Sequence, residues 1–147
     1  MIVIKVLTGN QAVAEAVRLS DVDLITAYPI TPQTTIVERL SEFVDLKLIR
    51  GRLIRVESEF SALAAAYGAA LCGARVFTAT SSHGLLFMHE MLWWVAGSRI
   101  PMVLAVVTRA IGPPWLYLTK IMTYINDEVM KIAAAEVQKR LGPPPHP

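Results

Sequence analysis

One cysteine, Cys72, stands among the 147 residues. The chain can therefore build no internal disulfide framework and no cysteine-ligated iron–sulfur cluster of its own. Charge is scarce as well: 18% of residues are charged and the net charge is +2. That balance leaves no electrostatic footprint for nucleic acid, and no basic stripe stands out. Nor is there a run of about 20 apolar residues, the length needed to span a bilayer. The longest uncharged apolar stretch, Phe60 to Ala74, is Ala-rich and broken by Gly68 and Gly73. No secretory leader is expected, because Lys5 interrupts the apolar opening Met1 to Leu7, and the expected location is cytoplasmic. No Gly-x-Gly-x-x-Gly or phosphate-loop pattern occurs, so a nucleotide-binding Rossmann function lacks its main signature. Amide side chains are confined to Asn10, Gln11, Gln33, Asn126 and Gln138, a scarcity compatible with a thermophile.

What is present in excess is apolar surface. Hydrophobic residues make up 54% and mean hydropathy is +0.46, more than a small soluble monomer normally carries. With membrane insertion disfavoured, the excess predicts large protein–protein interfaces. The length suits one ordinary domain with a real core.

Hydrophobic periodicity predicts alternating elements. Gly9 to Leu19 places Ala12, Val13, Ala16 and Val17 on one helical face. Leu24 to Ala27 reads as a short strand ending at Tyr28-Pro29-Ile30-Thr31-Pro32, where two prolines enforce an extended turn. Thr34 to Val44 is a second helix, Leu53 to Val56 a strand, and Ser58 to Cys72 a small-residue helix stopped by Gly73. Val76 to Ala79 is a strand that runs into a polar corner, Thr80 to Gly84. Leu85 to Ala96 then reads as one helix, and Met102 to Val107 as a strand buried on both faces. Strands separated by helices imply parallel pairing with right-handed crossovers, hence a doubly wound α/β fold. Ligands in such sheets sit outside the carboxyl ends of the strands, which singles out Tyr28–Pro32, Ala79–Gly84 and Thr108–Trp115. Residues 1–115 are expected to form the α/β domain. Residues 116–147 are expected to be a helical extension, Ile125 to Leu141, with a Pro-rich tail.

Among the chemically suggestive residues, Glu59 lies between a strand and an Ala-rich helix, within Arg55-Val56-Glu57-Ser58-Glu59. Glu57 and Glu59 fit a plain reading, as charges favouring the positive helix terminus. Glu59 also fits a functional one, as a partly buried carboxylate at a strand's carboxyl end. Thr31 and Arg109 can likewise be turn chemistry and a solvated strand end, or a hydroxyl and a guanidinium gripping a small carboxylate. His83 and His89 lack companions for a metal site. Cys72 reads as a small core residue, and Met88, Met91, Trp93 and Trp94 as packing or interface.

Five stretches, in order, carry a resemblance. They are Gly-Asn-Gln-Ala-Val-Ala-Glu-Ala-Val from Gly9, Ala-Tyr-Pro-Ile-Thr-Pro-Gln-Thr from Ala27, and Arg-Val-Glu-Ser-Glu from Arg55. Arg-Val-Phe-Thr-Ala-Thr-Ser-Ser-His-Gly-Leu from Arg75 and Ala-Val-Val-Thr-Arg-Ala from Ala105 complete the set. Together they resemble the N-terminal, pyrimidine-binding domain of the α subunit of pyruvate (2-oxoacid):ferredoxin oxidoreductases. The resemblance implies thiamine-diphosphate-dependent oxidative decarboxylation of a 2-oxoacid, pyruvate foremost, to an acyl-CoA. Glu59 is then the catalytic carboxylate, hydrogen-bonded to the cofactor's aminopyrimidine and promoting its proton exchange. Thr31 and Arg109 bind the substrate carboxylate, and Tyr28, Pro29, Ser82 and His83 join Glu59 against the cofactor. His83 stands where relatives often carry Gln, which puts that contact in question.

The resemblance further implies β, γ and δ type partner subunits, with ferredoxin and coenzyme A reached through the complex. By the resemblance Mg²⁺ belongs to a partner, since no Gly-Asp-Gly diphosphate motif occurs here, and so do the iron–sulfur clusters, since Cys72 is the one cysteine. Such a chain is not active alone. The family's α subunit continues beyond the segment matching Trp115 into further domains, whereas Leu116 onward departs from it, so the chain is expected to be truncated relative to the family. Two other readings compete: a non-catalytic assembly module that keeps the fold, and a subunit of a 2-oxoglutarate:ferredoxin oxidoreductase.

Overall fold

The computed structural model describes residues 6–109 and 111. The expected helix over 125–141 and the Pro-rich tail lie outside them. All nine elements belong to one compact unit that ends at Arg109. In chain order they are α1 (Gly9–Leu19), β1 (Leu24–Ala27), α2 (Thr34–Asp45), β2 (Arg52–Arg55), α3 (Glu59–Leu71), β3 (Val76–Thr80), α4 (Ser82–Phe87), α5 (His89–Ser98) and β4 (Val103–Val106).

The four strands are parallel and ordered β2-β1-β3-β4. The chain steps from β1 to β2 on one side, then returns to place β3 on the other side of β1. The winding therefore reverses between β1 and β3, and the crevice outside their carboxyl ends is where such sheets bind ligands. Alternation along the central strands splits the core in two. Ile25 and Phe77 pack with Ala14, Val17, Ile36, Leu40 and Phe43 of α1 and α2. On the opposite face, Leu63 packs with Met88 and Met91, while Ala66 and Ala70 meet Val76. The small residues of α3 let that helix lie close to the sheet, near enough for the Thr26 hydroxyl to donate to the Ala62 carbonyl at 2.7 Å.

Local chemistry sets the element ends. The Thr8 hydroxyl accepts from the Gln11 amide, and the Gln11 side chain accepts from the Thr8 amide, a capping box that opens α1. Gly73, at φ 88°, takes the left-handed conformation just past the end of α3, where a side chain would be strained.

Three expectations are corrected. The helix expected over Leu85–Ala96 is two helices that meet at Met88, and the first begins at Ser82, inside the expected polar corner. Among the described residues the fourth strand stands at an edge of the sheet with Val103 exposed, not buried on both faces. Cys72 is exposed rather than in the core, because it caps the outer end of α3.

Candidate active site

The loops leaving β1, β2, β3 and β4 converge outside the carboxyl ends of the sheet. The β1 turn is held by three bonds. Gln33, fully buried, donates through Nε2 to the Tyr28 carbonyl at 2.8 Å. Asn10, from the start of α1, donates to the Pro32 carbonyl at 3.0 Å and to Thr35 Oγ1 at 2.7 Å. The Thr31–Pro32 peptide is cis.

Two consecutive serines at the end of β3 tie this turn to β4. The Ser81 hydroxyl donates to the Thr31 carbonyl at 3.1 Å. The Ser82 hydroxyl accepts from the Arg109 amide at 2.9 Å and donates to the Arg109 carbonyl. Thr31 and Arg109, both exposed, are therefore anchored through their main chains to adjacent residues, leaving their side chains at the rim. His83 is exposed, Tyr28 half-buried and Pro29 exposed on the same side of the sheet.

The two carboxylates near the start of α3 have different surroundings. Glu57 is on the surface and accepts from the Ser61 hydroxyl at 2.7 Å. That bond, with a main-chain contribution from Glu57 itself, holds its carboxyl below the ordinary value. Ser58 caps the helix by accepting from the Ser61 amide at 3.1 Å. Glu59, only 9% exposed, instead turns inward in the first helical turn. A methyl group built on Gly84 would stand 2.6 Å from Glu59 Cγ, 3.0 Å from Glu59 Oε1 and 2.1 Å from Thr80 Oγ1. Those distances place Glu59, Thr80 and the bare backbone of Gly84 against one another. Among the described residues, the Glu59 carboxylate has no hydrogen-bond or ion-pair partner, and two buried side-chain oxygens, Gln33 Oε1 and Thr80 Oγ1, are also without one.

Thr80 and Gly84 lie within the Ala79–Gly84 segment expected at the ligand end of the sheet but had no individual role there, and Asn10 and Gln33 had none; all four fall inside the quoted motifs. Their signal is a polar residue beside a proline turn and a glycine in a Ser-Ser-His-Gly corner. Two concavities lie elsewhere. One of about 380 Å³ is lined by Glu90, Trp93, Trp94, Gly97 and Ser98. The other, of about 410 Å³, lies near the amino ends of β1 and β2, against Asp21, Asp23, Arg50 and Arg52. Among the described residues no three His, Cys, Asp or Glu side chains stand close enough to hold a metal ion. No helix among them is long and apolar enough to cross a membrane.

Comparison with known proteins adds three findings. Residues 15–139 match the family described as pyruvate flavodoxin/ferredoxin oxidoreductase, thiamine diphosphate-binding; the match runs on past Trp115. The chain is 56% identical over 111 residues to a pyruvate synthase subunit PorA of Methanocaldococcus jannaschii, and 54% identical to a ketoisovalerate oxidoreductase subunit VorA of Pyrococcus abyssi. Each match covers 76% of this chain and 28% of the relative, so the chain spans little more than a quarter of those proteins. A solved 2-oxoglutarate:ferredoxin oxidoreductase from Magnetococcus marinus superposes with a TM-score of 0.66 at 32% identity, over 71% of this chain and 18% of that one. The order of strands, the carboxylate at the start of α3 and these matches converge: the chain belongs to the pyruvate flavodoxin/ferredoxin oxidoreductase family, in its thiamine diphosphate-binding domain.

Proposed function

We propose that this chain supplies the pyrimidine half of a thiamine diphosphate site in a 2-oxoacid:ferredoxin oxidoreductase, with pyruvate as the 2-oxoacid. The observation that carries the reading is the inward carboxylate of Glu59, buried and uncommitted, packed beside Gly84 at the topological switch of the sheet. The fit is chemical. A flat aminopyrimidine needs a carboxylate to exchange a proton with, and Glu59 provides it, in room that the missing side chain of Gly84 leaves for it. When bound, the cofactor supplies the carbon nucleophile and the electron sink. Glu59 holds and returns a proton at the ring, while Tyr28, Pro29 and His83 flank it. Ser82 acts mainly through Arg109, whose main chain occupies its hydroxyl. Thr31 and Arg109 orient the substrate carboxylate from the rim, where the guanidinium offers two parallel donors.

Thr31, His83 and Arg109 are exposed at this end of the sheet, which leaves their side chains accessible to a β type subunit holding the diphosphate through Mg²⁺. Iron–sulfur clusters would sit in γ and δ type subunits and supply the electron path to ferredoxin, with coenzyme A as the acyl acceptor. We assign the domain to residues 1–115, with 116–147 as an extension, and the complex to the cytoplasm. A branched 2-oxoacid is the second reading, favoured by the 54% identity to a ketoisovalerate oxidoreductase subunit. Comparing KM for pyruvate and ketoisovalerate on the complex separates them.

Glu59→Gln tests the central assignment, because it keeps the shape and loses the proton-cycling group. The assembled variant should still bind thiamine diphosphate while turnover falls about 10²–10⁴-fold. Hydrogen–deuterium exchange at the cofactor's thiazolium carbon should slow with it. Unchanged exchange would remove Glu59 from the role and leave the assembly-module reading standing.

A further inference from the structure

The face of the sheet that meets α3 carries a row of threonines, Thr26 on β1 with Thr78 and Thr80 on β3. Thr26 donates to the Ala62 carbonyl at 2.7 Å, and Thr78 donates to the Thr26 carbonyl at 2.9 Å. Thr26 and Thr78 are partners across the strand pair, so the next step along the row would bring Thr80 opposite Tyr28. There the row fails. β1 ends at Ala27, and the Tyr28 carbonyl is drawn into the turn, where it accepts from Gln33 Nε2. Thr80 Oγ1 is left fully buried and without a partner among the described residues. A buried hydroxyl in that state costs free energy unless some acceptor comes within reach.

A charged acceptor close by is Glu59. Its Cγ and Oε1 and the Thr80 oxygen all lie within about 3 Å of the point where a Gly84 side chain would begin. We infer that Thr80 is a positioning residue: its hydroxyl, unpaired among the described residues, donates to the Glu59 carboxylate once the cofactor is bound and holds it toward the crevice, beside Gly84. The inference rests on the proposed function, in which Glu59 exchanges a proton with the cofactor. Thr80 touches neither substrate nor cofactor and acts through the carboxylate alone. A charge-assisted hydrogen bond fixes direction as well as energy, and direction is what a proton-exchanging carboxylate needs.

Thr80→Val keeps volume and branching while deleting the donor, and Thr80→Ser keeps the donor while deleting a methyl. Both are made in the complete complex, beside Glu59→Gln. Before cofactor is added, Thr80→Val should unfold at the wild-type denaturant concentration or above it, since it removes an unpaired buried hydroxyl. In the loaded complex it should slow exchange at the thiazolium carbon about ten- to a hundred-fold, the loss of one hydrogen bond to a charged group. It should also weaken the near-ultraviolet circular-dichroism signal of the bound aminopyrimidine, while Thr80→Ser keeps both near wild type and KM for the 2-oxoacid is unmoved. Wild-type exchange and signal in Thr80→Val would overturn the inference, as would equal losses in Val and Ser. If Glu59→Gln slows exchange while Thr80→Val does not, only the Thr80 role falls. If Glu59→Gln is also silent, the proposed function falls with it.

Discussion

Gly84→Ala adds one methyl group, and the structure says where it lands. The new carbon would sit 2.1 Å from Thr80 Oγ1 and 2.6 Å from Glu59 Cγ. Both distances are well inside van der Waals contact, so something must move. Thr80 is a β-branched residue at the end of a fully buried strand, and rotating it would swing its own methyl into the same space. The Glu59 side chain is the softer neighbour, and it gives way toward the crevice. An exposed glycine-to-alanine change in a helix such as α4 would gain about 0.5–1 kcal/mol. Here overpacking of about 1–3 kcal/mol opposes that gain, so the net loss is up to ~2 kcal/mol. Displacing a reacting group by about 1 Å can cost roughly 10²-fold in rate, and turnover should fall by that order while KM changes little. Denaturant unfolding of the variant and steady-state kinetics of the assembled complex measure the two effects. A variant as stable as wild type with full turnover would show that α4 simply shifts aside and that Gly84 does not set the position of Glu59.

Arg109→Lys replaces a two-pronged donor by a point charge. In the assembled enzyme KM for the 2-oxoacid should rise roughly ten- to a hundred-fold with kcat largely kept; unchanged kinetics would take Arg109 out of the site. Glu57→Gln should leave turnover intact, because the Glu57 carboxylate faces solvent and Ser61. Its folded-state carboxyl is lowered from the ordinary 4.5 by that hydroxyl, so its contribution to stability is full above that value. It disappears as pH falls through the lower folded value. Denaturation midpoints should therefore show a wild-type advantage above about pH 4.5 that shrinks below it; a pH-independent difference would refute this.

The alternation of elements was legible because α1 and α2 repeat their apolar residues with the period of one buried face, as Ile36, Val37 and Leu40 on α2 show. The small-residue α3 was legible instead from its ends at Ser58 and Gly73, and β1 and β3 as short runs buried on both faces. The break at Met88 was not legible. Leu85, Met88 and Met91 all reach the core at helical spacing, so the apolar pattern runs through a boundary that only the backbone reveals. The exposure of β4 was hidden for a related reason: a continuous aliphatic run reads the same in an inner strand as in an edge strand, and pairing decides between them. Glu59 stood out through its position between strand and helix. Thr80 and Gly84 did not, because what distinguishes them is a neighbour more than 20 residues away in the chain, and no local pattern records that distance.

The serine pair that ends β3 has an evolutionary consequence. Ser81 grips the Thr31 loop and Ser82 grips Arg109, so the spacing between two residues proposed to hold the substrate's acid group is set by a single peptide unit. A jaw of fixed width suits the one part that every 2-oxoacid shares. The remainder of the substrate can then be enlarged or trimmed by surfaces elsewhere without resetting the jaw. Close relatives named for pyruvate and for ketoisovalerate differ from this chain by nearly the same amount over this region, as expected if new substrates were acquired around a grip that stayed in place.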